Sequence, residues 1–289
     1  MPSEEVISAP GRCSAAVPAA SRGTSEIERA ARLSFRRKVW AIWAGLCVLL
    51  LLAAIEGQLD FALIGQKLPF MLGLRLTSDG FVQGVALTLV VTAASMIFAT
   101  FVALLTALGR LSTNPIAFAL ATFYASIFRG TPLMIQVLII YLALPQVGIV
   151  LSGFTSGVIA LGLNYGAYLA ETIRAGISSV PAGQREAAMA LGMRRFSIAL
   201  KIVAPQAMRV IIPPAGALFV SMLKDSSLVS LMGLWELNFL AQSYGRSTFR
   251  YLEMLLSAAL VYWILSILFE FVQYRLEQKF GRSLQAIHP

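Results

Sequence analysis

Two sets of residues in this chain have types and spacing that could do chemistry. The first is Glu186-Ala187-Ala188, followed by Gly192 and then Pro205. Glu186 to Leu191 are good helix formers, Pro181 stands where a first turn tolerates a missing N–H, and Gly192 can end a helix in the left-handed conformation. Ser179 is the expected N-cap. Such a helix is too polar to insert in a bilayer and too short to fold alone, so it needs a protein partner. The second set is polar residues within or beside apolar runs: Arg129, Asn164, Tyr168, Glu171, Lys224 and Asp225. A guanidinium binds a carboxylate through paired hydrogen bonds, so Arg129 could meet a solute carboxylate. It could equally bind carbonyls freed at Pro132, or pair with Glu171. Glu171 and Arg174 are spaced for a local ion pair, in a pathway or at the interface. Asn164 and Tyr168 offer hydrogen bonds in mid-helix, or pack beside Gly162 and Gly166. Lys224 and Asp225 could gate a passage or anchor a helix end. Pro213-Pro214 reads as an interruption that could supply backbone groups to a midplane site, or as a packing kink.

Catalysis has few candidates. The one histidine, His288, is next to last. Cys13 and Cys47 have no metal or disulfide spacing. No G-x-x-x-x-G-K-[ST] phosphate loop is present, so any ATP chemistry must come from another chain. No catalytic residue, metal ligand or cofactor site is expected in this chain, and a membrane-embedded enzyme lacks the acids or histidines it would need.

The elements that must position these residues are membrane helices. Of 289 residues, 58% are hydrophobic and 13% charged, half the charge of an ordinary soluble domain. Mean hydropathy is +0.77. A soluble enzyme or nucleic-acid-binding domain cannot hide that much apolar surface. Residues 1–38, rich in Ala, Ser, Pro and Arg, read as a disordered tail. Residues 39–55 form an uncharged run, about 26 Å long as a helix and near the minimum for a span. Further spans are expected at 85–108, 116–144, 156–175, 202–223 and 251–273. The third is one helix kinked near Arg129-Gly130-Thr131-Pro132, and 56–79 and 224–250 are loops. Six spans put both ends on one side. Seventeen of the 23 Lys and Arg fall on that side and five on the other, so both termini are expected in the cytoplasm. The fold class is all-α, a polytopic membrane protein with about six transmembrane helices.

Glu186-Ala187-Ala188, Gly192 and Ile202-Val203-Ala204-Pro205 resemble the EAA loop of ABC importer permeases, with Ala204 in place of the family's Leu. Phe128-Arg129-Gly130-Thr131-Pro132-Leu133, Asn164-Tyr165-Gly166-Ala167-Tyr168-Leu169-Ala170-Glu171, Arg174-Ala175-Gly176-Ile177 and Leu223-Lys224-Asp225-Ser226-Ser227-Leu228 resemble its polar amino acid uptake branch, of the histidine/glutamine/arginine type. The likeness covers roughly 80–275 and implies a five-helix permease core with an EAA coupling loop at 178–205. Residues 39–55 would then be an extra N-terminal transmembrane helix, and 276–289 a cytoplasmic C-terminal tail. The resemblance further implies a second permease subunit, a copy or a relative. It implies ABC ATPase subunits that bind ATP and Mg and receive Glu186, Ala187, Ala188, Gly192 and Pro205. It also implies an extracytoplasmic solute-binding protein, a polar amino acid cargo, and a place among the lipids of the bacterial cytoplasmic (inner) membrane. An opine or other small polar solute is the rival cargo, and a stand-alone secondary carrier the rival device.

Overall fold

The computed structural model describes residues 34, 35, 37–46, 48, 49, 52, 59–73 and 82–281. The chain divides into two compact units, 1–59 and 60–289. In the first, all the described residues from 34 to 52 are helical, so helix begins before residue 39. The rest of the expected tail, and the other positions of 39–55, lie outside the described residues.

The second unit is helical, with no strand among the described residues. Its helices are α1 Phe61–Met71, α2 Gly84–Arg110, α3 Pro115–Gly130, α4 Leu133–Leu138 and α5 Gly153–Ser178. They continue as α6 Ala182–Ala190, α7 Arg195–Ile198, α8 Ala204–Asp225, α9 Leu237–Thr248 and α10 Tyr251–Gly281. A π-helical turn, Ala199–Val203, joins α7 to α8, and a 3-10 segment, Ser226–Met232, follows α8. Gly84–Arg110, Arg195–Met232 and Tyr251–Lys279 are long and apolar enough to cross a membrane. The bent pair Pro115–Gly130 and Leu133–Val147 makes a fourth if counted as one span. Among the described residues the count of six spans is therefore not confirmed.

Helix α5 has 26 residues, enough for a span, but is not among these apolar helices. Its packing explains why. Thirteen of its residues are buried, many of them Gly, Ala, Ser, Asn or Tyr. A helix enclosed by other helices does not need an apolar surface for lipid. Its main neighbour is α2, whose Thr88, Val91, Thr92, Ser95, Ala99, Ala103 and Ala107 are buried at helical spacing. Small side chains let the two axes come close: a Cβ on Gly162 would lie 2.4 Å from Phe98 Cδ1.

Four expectations need correction. The segment 56–79 contains α1, capped by Asp60, which accepts from Leu63 N at 2.9 Å. Its Leu63, Ile64, Leu68 and Met71 recur at helical spacing and pack on the cluster of Leu237, Leu240 and Met254. The segment 224–250 contains a 3-10 turn and α9, whose Leu237, Leu240, Ala241 and Gly245 form one buried stripe. In α9 the polar residues Asn238, Gln242, Ser243 and Arg246 accompany that buried stripe on one helix. Pro213-Pro214 does not interrupt a span, because α8 runs through both prolines. There the Gln273 amide donates to the Pro213 carbonyl at 3.1 Å. Finally, α10 continues to Gly281, so helix occupies the start of the expected 276–289 tail, and the remainder lies outside the described residues.

One buried acid pins this region. Glu236, fully buried, accepts from Asn238 N at 2.9 Å, Phe239 N at 2.8 Å and Tyr262 Oη at 2.8 Å. It thereby caps α9 and ties it to α10. Burial raises its carboxyl to about 7, against the opposing pull of these hydrogen bonds. Beside it, Gly84 N donates to Trp235 O at 2.8 Å, with Gly84 at φ +60. A Cβ there would lie 2.1 Å from the Met71 carbonyl oxygen. Gly84→Ala is therefore expected to cost about 2 kcal/mol or more, combining left-handed strain with a backbone clash. Gly65→Ala, where a Cβ meets nothing within 4 Å, should be neutral or mildly stabilising. Thermal midpoints of the two variants in detergent test this, and equal midpoints would refute it.

Candidate functional site

The site is built around the end of α3. Thr131 precedes Pro132 and is extended, at φ −116 and ψ 144, as the following ring requires. Helix α3 therefore stops at Gly130 and α4 starts afresh, the two arms bent by 105°. The expected kink is a break. A break inside an apolar region leaves carbonyls without helical partners. Two amide side chains supply them. Gln136 Nε2 donates to Phe128 O at 3.0 Å and to Thr131 O at 3.1 Å. Asn164 Nδ2, from α5, donates to Phe128 O at 2.9 Å and to Gln136 Oε1 at 3.2 Å. Both side chains are buried.

Arg129 is thereby spared one of the roles open to it in the sequence. Its guanidinium lies over the Tyr168 ring, 5.4 Å from the centroid, and 3.8 Å from Glu171 Oε2. Glu171 is the hub of three arginines. Its Oε2 is bonded by Arg110 Nη1 from the end of α2, and its Oε1 by Arg174 Nε at 3.2 Å. The local Glu171–Arg174 pair is present, but Arg110 and Arg129 extend it across three helices.

A cleft runs between α3, α5 and α8. One part, of about 520 Å³, is lined by Arg129, Asn164, Tyr165, Tyr168, Ser221 and Asp225, among others. A second part, also about 520 Å³, shares Arg129, Tyr168 and Ser221 and reaches Glu171, Ala175 and Pro214. A side pocket of about 410 Å³ adds Arg110 to Arg129 and Tyr168. Tyr165 Oη donates to Asp225 Oδ2 at 2.7 Å. The cleft thus brings together Arg129, Asn164, Tyr168, Glu171 and Asp225. Lys224 is exposed and is not among the residues lining these three spaces.

The sequence reading missed Arg110, Gln136 and Ser221. Gln136 had a signal, a lone amide in the run from Leu133 to Leu144. Arg110 had none, since its partner lies 61 residues away.

The second site is α6. Pro181, not Ser179, is its N-cap; Ser179 ends α5 and its Oγ donates to Gly176 O at 2.8 Å. Gly192 has φ +74, as its position after the helix demands, and a Cβ added there would meet nothing within 4 Å. Ala188 is buried with Val180, Ile198 and Val203, and Arg185 Nη2 donates to Ile177 O at 2.6 Å. Ala188 therefore holds the helix to the body and is not on its free face. Glu186, Ala187, Gly192 and Pro205 are exposed, beside Leu191 and Phe196, which are 83% and 74% exposed.

Residues 99–282 match the family of binding-protein-dependent transport system inner membrane components. The chain belongs to this family. It is a permease subunit of an ABC importer, an inner membrane component and not an enzyme. The L-cystine transport system permease protein TcyB of Bacillus subtilis (strain 168) is 41% identical over 201 residues, 69% of this chain and 86% of that one. The arginine transport system permease protein ArtQ of the same organism is 35% identical over 223 residues, 77% of this chain and 97% of that one. A solved amino acid ABC transporter, crystallised with histidines, superposes with a TM-score of 0.67 at 34% identity, covering 76% of this chain and 98% of that one.

The polar cap on the break predicts a coupled pair. Gln136→Leu and Asn164→Leu should each lower stability by about 1–3 kcal/mol, because buried carbonyls lose their donors. The double variant should depart from additivity by about 0.5 kcal/mol or more. Additive thermal or denaturant midpoints in this permease would refute the shared role.

Proposed function

We propose that this permease carries polar amino acids across the cytoplasmic membrane, driven by a separate ATPase that docks on the exposed face of α6. The observation that carries the reading is α6 itself. It is fixed to the body through Ala188 and Arg185, while Glu186, Ala187, Gly192 and Pro205 remain outside with Leu191 and Phe196. Large exposed apolar residues beside a short, anchored helix suit a partner's groove. ATP and Mg are bound by that partner. A second permease, the same or a related chain, completes the pathway, and an extracytoplasmic solute-binding protein delivers the cargo.

The distribution of Lys and Arg supports both termini and α6 in the cytoplasm. Residues 39–55 act as a transmembrane helix additional to the permease core, which spans 80–275 with its coupling loop at 178–205. The names of the cystine and arginine relatives support an amino acid as cargo. Within the cleft, Arg129 takes the carboxylate of the solute and Asp225 its ammonium group, with Tyr168 and Glu171 as the wall beside Arg129. Asn164 serves the pathway by holding the break that presents Arg129. Lys224 acts as an anchor at the outer end of α8.

Two experiments test this. Proteoliposomes holding the permeases and their ATPase, supplied with the binding protein, should take up amino acid only with ATP. Gly192→Arg should abolish ATPase association, while Gly192→Asn, which tolerates a positive φ, should retain most of it. Intact assembly and uptake in Gly192→Arg would remove α6 from the interface. Separately, Arg129→Lys and Glu171→Gln at normal expression should each lower uptake by about tenfold or more. Unchanged rates for both would remove them from the pathway.

A further inference from the structure

We propose that the crevice between α8 and α10 seats an acyl chain of an acidic phospholipid, with the lipid phosphate held by Arg209 and Lys279. The proposal goes beyond the transport reading and takes from it only the solute path through the cleft.

The crevice, of about 350 Å³, is lined by Ile212, Gly216 and Phe219 of α8 and by Phe269, Val272 and Leu276 of α10, among others. Its one polar lining residue is Gln273. That amide is already engaged, donating to Pro213 O at 3.1 Å and to Glu277 Oε1 at 2.9 Å. What remains toward the space is hydrocarbon. The lining on α8 runs from Ile212 to Val220, about 12 Å along the helix. A strip of that length suits an extended acyl chain lying along the helix pair.

The crevice is on the opposite side of α8 from the cleft. The cleft takes Pro214, Ala217 and Ser221 from α8, the crevice takes Ile212, Gly216 and Phe219, and no residue lines both. A second permease sharing the solute path therefore stands away from the crevice, which is left to the bilayer.

Positive charge stands at one end. Pro213 meets Gln273, and Phe219 packs on Phe269 with ring centroids 5.1 Å apart, so α8 and α10 run antiparallel. Arg209 precedes Ile212 and Gly216 by three and seven positions, and Lys279 follows Leu276 and Val272 by three and seven. Each therefore continues a lining stripe, toward the end of the helix pair that is joined to α6. Arg209 is half-buried and Lys279 exposed, and neither makes an ion pair among the described residues. Glu277, at the same end, is engaged by Gln273, and Arg275 lies over the Phe271 ring at 4.8 Å. An apolar strip ending at two unpaired cations matches the two halves of an acidic lipid, since basic residues between helices at a membrane surface attract anionic headgroups.

The permease–ATPase complex is reconstituted in vesicles of phosphatidylcholine and phosphatidylglycerol in equal amounts. It is then taken into detergent, and the lipid that stays bound is identified by native mass spectrometry. Phosphatidylglycerol is expected to be enriched about fivefold or more over phosphatidylcholine. Arg209→Gln combined with Lys279→Gln should bring that ratio toward unity. Val272→Trp, which fills the crevice from its exposed rim, should lower the retained lipid of both kinds. No enrichment in the unaltered complex, an unchanged ratio in the double variant, or unchanged retention in Val272→Trp would overturn the proposal. A disulfide formed between Trp43→Cys and Val272→Cys would overturn it as well, by giving the crevice to the helical residues from 34 to 52. ATP-driven uptake is measured separately, and a solute path through the cleft survives every one of these outcomes.

Discussion

The constraint on which the site depends is that a backbone turned inside an apolar region must have its carbonyls satisfied by protein. Pro132 forces Thr131 out of the helical region, and the chain turns by 105°. In water the freed carbonyls would be hydrated. Here they are met by the amides of Gln136 and Asn164, which also bond each other. Those bonds fasten the corner to α5 and fix where Arg129 emerges. A guanidinium used to plug the same carbonyls would have been withdrawn from the cleft. Two neutral amides do that work at less cost, since burying an amide with its hydrogen bonds made is far cheaper than burying a charge.

The same economy shapes the Glu171 cluster. Arg110, Arg129 and Arg174 come from α2, α3 and α5, and one carboxylate joins them. Mutual repulsion among the three cations is offset at a single point, so the three helices are held in register near that point. The small-residue contact between α2 and α5 is what makes this possible. With larger side chains at Ala99, Gly162 or Ala103, the axes would separate and Arg110 would not reach across. Packing and electrostatics are here two parts of one arrangement, the first setting the distance that the second requires.

How much of this could be read from the sequence depends on the range of each interaction. The α6 helix, its stop at Gly192 and the Glu171–Arg174 pair are set by neighbours within about four positions, and their pattern is written locally. The membrane character of α2 and α10 follows from composition. Helix α9 was hidden because its polar residues outweigh its apolar stripe in a simple count, although Leu237, Leu240, Ala241 and Gly245 have helical spacing; α1 is largely apolar, but its 11 residues are too few for a span and carry Pro69 inside. The Arg110–Glu171 and Tyr165–Asp225 contacts join residues 61 and 60 positions apart, and nothing local marks either pair. Ser179 shows a different limit. A serine before a proline near a helix start fits an N-cap, yet α5 extends far enough to claim it as its own end.

Helix α5 is where the two sites meet. Its middle carries Asn164, Tyr165 and Tyr168 along the cleft, its last turns carry Glu171 and Arg174, and residues 179–181 alone separate it from α6. The joint is not slack. Val180 is buried beside Ala188, and Arg185 reaches back to the Ile177 carbonyl. A force applied to α6 in the coupling we propose would therefore act on the end of α5 as on a rigid lever. The first charged group along that lever, apart from Arg174, is Glu171. Turning α5 by even part of a residue would alter the three arginine contacts unequally, because two are tight and the one to Arg129 is long. The loosest contact is the one most readily exchanged for a solute carboxylate. An arrangement in which all three were equally tight would hold the helices better, but would leave the cleft without a cation to offer.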